Sequence, residues 1–416
     1  MRPHHLRILI LILTASIFPF LRSIFGKDGI FAPHLIENEF SLFKISDLDR
    51  VKNIPANDTS RMDKTYKIGI KKVNEALMES SYKPSQPRAR TSRHICQLQN
   101  KSILLPTVPY FAIIGAQKAG TTSLTRYLTE HPDIMPPLNP RRKEIHFFDN
   151  VFRALKNNQV MFNRQLGINT EFWCLARKRY AETMYQIDPL LELINQNDKD
   201  ASTHFLSFDK TPSYIHLDNC PEYLKKTCPW MTKIIVIIRN PVDRAYSQHQ
   251  MDIKKKEKRT FEQRIREEID KAKRVGLHDF PDMPDSIKAI EKIQIPKLNR
   301  TAEQEVEAFR QLIGYPMLKK GLYALQLRKW MEYFNFPQEF LVLKYEDLQK
   351  NPASVYSRTL DFIGLKPHQL NKYEKHLAGR YDPMPEHCRL YLEKFFQAYN
   401  DQLADLLGEE WRNIWS

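Results

Sequence analysis

The sequence predicts an α/β fold in three layers, a central, mostly parallel sheet flanked by helices. Three stretches predict it. Residues 110–114 (Tyr-Phe-Ala-Ile-Ile), 233–238 (Lys-Ile-Ile-Val-Ile-Ile) and 340–343 (Phe-Leu-Val-Leu) are short apolar runs. Such runs are the pattern of strands covered on both faces. Each leads through a turn into a helical pattern, and strands alternating with helices call for crossovers and a parallel sheet.

The chain has 416 residues, a formal charge of +15 and a pI near 9.4. That length holds one large domain with appendages. The charge points to anionic partners, whether nucleic acid, anionic glycan or nucleotide. Arg2, His4, His5 and Arg7 precede an uncharged run, Ile8–Leu21, which ends at Arg22. Extended over 8–25, with Arg22 reaching to the interface, it reads as a short signal-anchor span after a cytoplasmic tail, 1–7. Basic residues ahead of it place the rest in the lumen. A signal peptide cleaved near Thr14-Ala15-Ser16, giving a secreted protein, is the alternative. Sequons at Asn57, Asn100 and Asn299 fit a luminal chain carrying N-glycans, and a luminal chain does not meet nucleic acid.

Five cysteines (Cys96, Cys174, Cys220, Cys228, Cys388) allow two disulfides with one left over. Cys220 and Cys228, flanking a short segment before an apolar strand, are the preferred pair. No C-x-x-C or histidine cluster suggests a metal. Residues 26–106 carry loop signals such as Lys83-Pro-Ser-Gln-Pro87 and read as a luminal stem with some helix near 66–80. The catalytic domain is expected over 107–416.

The domain opens with a strand, a glycine-bearing turn (Gly115-Ala-Gln-Lys-Ala-Gly120) and a helix over 122–131 stopped by Pro132. This geometry binds phosphate, because free N–H groups and the positive end of the helix dipole converge on an anion. Thr121, Thr122 and Ser123 add hydroxyls, and Lys118, beside Ala119, adds a full charge. The NTPase P-loop places lysine directly after its second glycine and a Ser/Thr on Mg²⁺. Here Thr121 stands in that place and Lys118 lies two residues before Gly120. That order suggests an anionic donor handled without the Mg-nucleotide arrangement; the alternative is a structural turn with an incidental lysine.

After the basic cluster Arg141-Arg142-Lys143, Glu144 and His146 fall on one side of an extended segment. They can supply a general base and a hydrogen-bonding partner for a hydroxyl nucleophile, or form a solvated edge over Phe147 and Phe148. Residues 151–205 read as helical. Lys210 closes a short strand, where α/β folds place their ligands. Arg239, at the end of the strand 233–238, and Ser247, on the next helix, can converge on a second phosphate, which suits a forked guanidinium. Residues 252–300 are charged and helical, either a solvated face or one wall for an acidic acceptor. Helices at 324–334, 353–363 and 386–407 complete the domain around the loop Gly379-Arg-Tyr-Asp-Pro383.

Taken together, these motifs resemble the sulfotransferases that use 3′-phosphoadenosine-5′-phosphosulfate (PAPS), particularly the Golgi carbohydrate group of heparan sulfate N- and 3-O-sulfotransferases. Gly-Ala-Gln-Lys-Ala-Gly-Thr-Thr-Ser is similar to that family's 5′-phosphosulfate loop, and Arg-Asn-Pro-Val-Asp-Arg-Ala-Tyr-Ser to its 3′-phosphate element. Lys-Glu-Ile-His-Phe-Phe-Asp, Asp-Lys-Thr-Pro-Ser-Tyr and Leu-Lys-Tyr-Glu-Asp-Leu continue the resemblance.

The resemblance implies a P-loop-like fold and sulfonate transfer from PAPS to a hydroxyl or amine of a carbohydrate, releasing PAP without a metal. The acceptor it implies is a glycosaminoglycan or other glycan, acidic polysaccharides included. The chain is then a single-pass type II protein of the Golgi membrane. Lys118 would meet the charge on the leaving phosphate, with Ala119, Gly120, Thr121, Thr122 and Ser123 around the 5′-phosphate. Arg239 and Ser247 would hold the 3′-phosphate. Glu144 would take the acceptor's proton, His146 and Lys210 would line the acceptor side, and Arg380 would close over the nucleotide. One departure is Cys388, which has no nearby cysteine although family members often carry a disulfide in that late loop. A non-catalytic glycan-binding relative and a P-loop nucleotide kinase are the alternatives.

Overall fold

A computed structural model describes residues 93–415, apart from 138–143, 156–169, 189, 193, 195–204, 297, 299, 313–316 and 375–380. The segment 8–25, the stem up to residue 92, Asn57, Asn299, Arg141 to Lys143 and Arg380 therefore lie outside the described residues.

Residues 93–106, expected in the stem, form an antiparallel hairpin of β1 (Arg93–Leu98) and β2 (Lys101–Pro106). Its turn residues, Gln99 and Asn100, both have positive φ (50° and 59°), the hand that matches strand twist in two-residue hairpins. Five further strands follow: β3 (Phe111–Gly115), β4 (Ile134–Met135), β5 (Leu206–Lys210), β6 (Lys233–Ile238) and β7 (Phe340–Lys344). They pair in the order β4-β5-β3-β6-β7, every described pair parallel. The predicted α/β fold is the one observed. β3 and β5 are buried along their whole length, and β6 along all but Lys233, which is why these runs show no polar alternation.

From β3 the chain first builds one side of the sheet (β4, β5) and then the other (β6, β7). The crevice at the carboxyl ends of β3 and β6 is thus a topological switch point, where open α/β sheets bind ligands. Two helices start there, α1 (Thr121–Thr129) after β3 and α4 (Pro241–Ile253) after β6. Asn240 caps α4, its side chain accepting from the amides of Val242 and Asp243, with Pro241 in the first turn.

Within 151–205 the long described helix is α2 (Thr170–Met184), which buries Phe172, Cys174 and Tyr180. The charged stretch after α4 contains α5 (Phe261–Arg274), whose Phe261, Ile265 and Ile269 share a second apolar core with Tyr391, Phe395 and Phe396 of α6 (Glu386–Leu407). This face of α5 is therefore packed and only the opposite one solvated. Among the described residues no helix is long and apolar enough to cross a membrane.

The cysteine pairing corrects the sequence-based expectation. Cys96 of β1 and Cys174 of α2 form the disulfide, with Cα atoms 5.7 Å apart, while Cys220 and Cys228 are free and buried. The reason is the helix α3 (Cys220–Thr227) between those two. Eight residues at 1.5 Å rise set its ends about 12 Å apart, beyond the reach of a disulfide.

Candidate active site

The β3–α1 turn is shaped by its glycines. A Cβ on Gly115 would lie 2.7 Å from Ile215 Cγ2. Gly120 has φ 87°, and a Cβ there would lie 2.8 Å from the Tyr345 ring. Lys118 also has positive φ (73°), a costly conformation for a residue with a side chain. The turn is tied to β6 by the Ala116 amide, which donates to Ile237 O at 2.6 Å. The amides of Gly120, Thr121 and Thr122 donate to no acceptor among the described residues. Three unused donors at the positive end of α1 make an anion-binding cradle.

Cations crowd this cradle. Burial first, and then the charges of Arg239, Lys254 and Arg244, depress the Lys118 ammonium. The Arg239 guanidinium stacks over Tyr345, 4.8 Å from the ring centroid, and its Nη1 donates to Lys118 O at 3.3 Å. Tyr323 fixes the backbone of Arg239, donating to its carbonyl at 2.9 Å. Neither Lys118 nor Arg239 forms a salt bridge among the described residues. The site thus holds unneutralised positive charge. Ser247 is buried two turns into α4 and makes no hydrogen bond to Arg239 or Lys118 among the described residues.

On the other side of β3 stands a second group. Lys210 ends β5, in register with Ile113, and its Nζ lies 2.9 Å from Glu144 Oε1. The other Glu144 oxygen is 3.1 Å from His146 Nε2, and His146 Nδ1 is 2.7 Å from Asp149 Oδ2. Ser213 Oγ donates to that same Asp149 oxygen at 2.8 Å. The structure therefore joins Glu144, His146 and Lys210, as the motifs imply, and adds Asp149, which the sequence reading quoted without a role.

The charges follow from the contacts. Burial alone would raise the Glu144 carboxyl, but the hydrogen bonds and charges of His146 and Lys210 outweigh it and hold it at about 2. The hydrogen bonds to Asp149 and then Glu144 raise His146 to about 9, against the opposing effect of burial. At neutral pH the ring is an imidazolium donating to two carboxylates. A carboxyl held at about 2 accepts protons weakly, so Glu144 can act as a base only where a substrate hydroxyl displaces one of its cationic donors.

Tyr345 and Glu346 were also missed as site residues. The Tyr345 ring touches the space at Gly120 and carries Arg239, while Glu346 accepts from the Asn240 amide at 2.9 Å. Their signal was position, immediately after a strand at the carboxyl edge of the sheet. Among the described residues one set of possible metal donors lies together, Glu262, His387 and Cys388. Glu262 there is already paired with Arg266 at 2.8 Å and His387 at 3.0 Å.

An anion cradle and a carboxylate–imidazolium–ammonium cluster on either side of one parallel strand are the equipment of a group-transfer enzyme with a phosphate-bearing donor. The sulfotransferase domain matches residues 109–384, and the chain belongs to that family. The membrane-associated sulfotransferase kil1 of Dictyostelium discoideum is 26% identical over 352 residues, covering 74% of this chain and 67% of that protein. The human bifunctional heparan sulfate N-deacetylase/N-sulfotransferase 3 is 24% identical, over 72% of this chain and 30% of that protein. Mouse heparan sulfate glucosamine 3-O-sulfotransferase 6 is 26% identical, over 62% of this chain and 53% of that protein. The chain thus spans less than a third of the second relative and about half of the third. A solved sulfotransferase from Alicyclobacillus acidocaldarius is 22% identical, with 73% of this chain and 98% of that chain covered and a TM-score of 0.44.

Proposed function

We propose that the chain transfers a sulfonate group from PAPS to a hydroxyl or amine of a carbohydrate, releasing PAP. The observation that carries this is the pair of groups flanking β3: the unneutralised Lys118 and Arg239 on one side, and Glu144 between Lys210 and His146 on the other. The acceptor oxygen or nitrogen forms the new bond to sulfur as the bond from sulfur to the bridging oxygen of PAPS breaks. The acceptor's proton goes to Glu144. The charge released on the 5′-phosphate is met by Lys118 and the amides of Gly120, Thr121 and Thr122, with the neighbouring Ala119 and Ser123 completing the cradle. Positioning and preorganised charge account for the rate without a bound metal.

Arg239 is assigned to the 3′-phosphate with Ser247, and Arg380 to closure over the nucleotide. The acceptor is proposed to be an acidic glycan such as heparan sulfate. The charge of +15 supports this, as do the substrates in the names of the N- and 3-O-sulfotransferase relatives. The proposed setting is the Golgi lumen, with 8–25 as anchor, 26–106 as stem and 107–416 as catalytic domain. Asn100, exposed at the tip of the hairpin, is the sequon best placed for a glycan. Calorimetry with PAP tests the donor assignment: Lys118→Ala and Arg239→Ala each weaken binding, and tight binding unaffected by either overturns it.

A further inference from the structure

Behind Glu144 lies a buried hydrogen-bond array that makes no contact with its carboxylate. Asp209, in the middle of the sheet on β5, has no exposed surface. Its Oδ1 accepts from Thr211 Oγ1 at 2.7 Å and its Oδ2 from Tyr180 Oη at 2.5 Å. A hydroxyl that gives its hydrogen to a carboxylate keeps its lone pairs for other donors.

Thr211 uses those lone pairs, and Tyr214 uses its own, on one stretch of backbone. Thr211 Oγ1 accepts from the amides of Ile145 and His146, each at 3.2 Å. Tyr214 Oη accepts from Phe147 at 2.8 Å and Phe148 at 3.4 Å. Four consecutive amides, 145 to 148, therefore end on two oxygens. They lead into a single helical turn (Phe147–Val151), and the first amides of a helix have no acceptor of their own. Within this stretch His146 has φ 53°, a conformation that a residue with a side chain adopts only where its surroundings enforce it.

We propose that Asp209, Thr211 and Tyr214 are positioning residues for the reacting carboxylate. Asp209 orients the Thr211 hydroxyl, and the hydroxyls of Thr211 and Tyr214 together hold the left-handed turn at His146 that brings Glu144 between Lys210 and His146. An apolar residue at 209 would fill the same space without burying a carboxylate, whose desolvation is costly. What the carboxylate contributes is the direction in which Thr211 accepts. The proposal rests on Glu144 being the base.

The test compares Thr211→Val, which keeps the shape and removes the acceptor, with Thr211→Ser, which keeps the hydroxyl and its three bonds. Tyr214→Phe is the second variant should Thr211→Val fold poorly. Transfer of label from PAPS to heparan sulfate, PAP binding and amide exchange over 144–152 are measured on the full chain. Thr211→Val is expected to lower kcat by ~10–100-fold, the scale of a misplaced catalytic group, while PAP affinity is retained. Exchange over 144–152 speeds up while 233–238 stays protected, and Thr211→Ser behaves as wild type.

In a Glu144→Gln background the further loss from Thr211→Val shrinks to less than ~3-fold, because residues acting as a unit are non-additive. An undiminished loss in that background, or unchanged exchange over 144–152, overturns the proposal. Absence of wild-type transfer to heparan sulfate counts against the proposed reaction or acceptor instead. In that case exchange over 144–152 alone decides whether the hydroxyls hold the turn.

Discussion

Glu144 Oε2 lies 3.1 Å from His146 Nε2, and the same imidazole ring reaches Asp149 through its other nitrogen at 2.7 Å. One ring therefore bridges two carboxylates, and Lys210 closes the other side of Glu144 at 2.9 Å. The proposed base is held in place by the same cations that suppress its basicity. The site gains geometry at the expense of proton affinity, and the proposed catalysis requires an acceptor to displace one of those donors.

Replacement of Glu144 is the direct consequence. Glu144→Gln keeps the shape and the hydrogen-bonding reach but removes the proton acceptor. Turnover is expected to fall by ~10²–10⁴, the usual contribution of a general base, with PAP affinity retained. Unchanged turnover in steady-state assays would take Glu144 out of that role.

Arg239 makes a prediction about selectivity. Its guanidinium lies over Tyr345 with no acidic partner among the described residues, so an incoming phosphate meets an unneutralised charge. Arg239→Ala is expected to weaken PAP by about 10–100-fold, as for a lost hydrogen bond to a charged group. Binding of adenosine 5′-phosphate should change little. Equal losses for both nucleotides contradict the assignment to the 3′-phosphate.

Protonation of His146 sets a pH dependence of stability. Its pKa is raised from 6.5 to about 9, so the folded state holds this proton more tightly than the unfolded chain does. The stabilisation is complete below 6.5 and is lost as pH rises through about 9. Glu144, held at about 2, behaves oppositely, stabilising above 4.5 and losing its contribution as pH falls toward 2. The difference in melting temperature between wild type and His146→Asn should therefore shrink between about pH 6 and about pH 10. A difference constant over that range contradicts the ion-pair reading.

The disulfide predicts a peptide map. Non-reducing digestion should link Cys96 to Cys174 and leave Cys220 and Cys228 as thiols that alkylate only after unfolding. Cys96→Ala should lower stability by about 2–5 kcal/mol, the usual cost of removing a native disulfide. A fragment beginning at residue 107 would leave Cys174 unpaired and is a poor choice for expression. A Cys220–Cys228 link in the map would overturn the pairing.

What was legible in the sequence was what local pattern encodes. The apolar run at 233–238 and the helix at 386–407 are found with the bounds that their periodicity gives. The glycine turn at 115–120 was readable because close approach needs glycine at Gly120. The disulfide was not, because Cys96 and Cys174 meet only after the hairpin folds onto α2, 78 residues away in sequence. The hairpin itself carried a weak signal, Gln99-Asn100, without the glycine that usually marks such turns. Asp149 stood in a motif already quoted, but its bond to His146 depends on the left-handed turn at His146, for which the sequence shows no glycine. Asp209 reads as an ordinary polar residue in a strand until Tyr180 arrives from α2 to join the neighbouring Thr211 on its carboxylate.

The most direct measurement is transfer of labelled sulfonate from PAPS by the full chain, produced through a secretory route. Heparan sulfate, other glycosaminoglycans and neutral glycans serve as acceptors, with EDTA present. The account predicts label on an acidic glycan, insensitive to EDTA and abolished in Lys118→Ala. An absence of transfer to every acceptor, together with no binding of PAP, would contradict it.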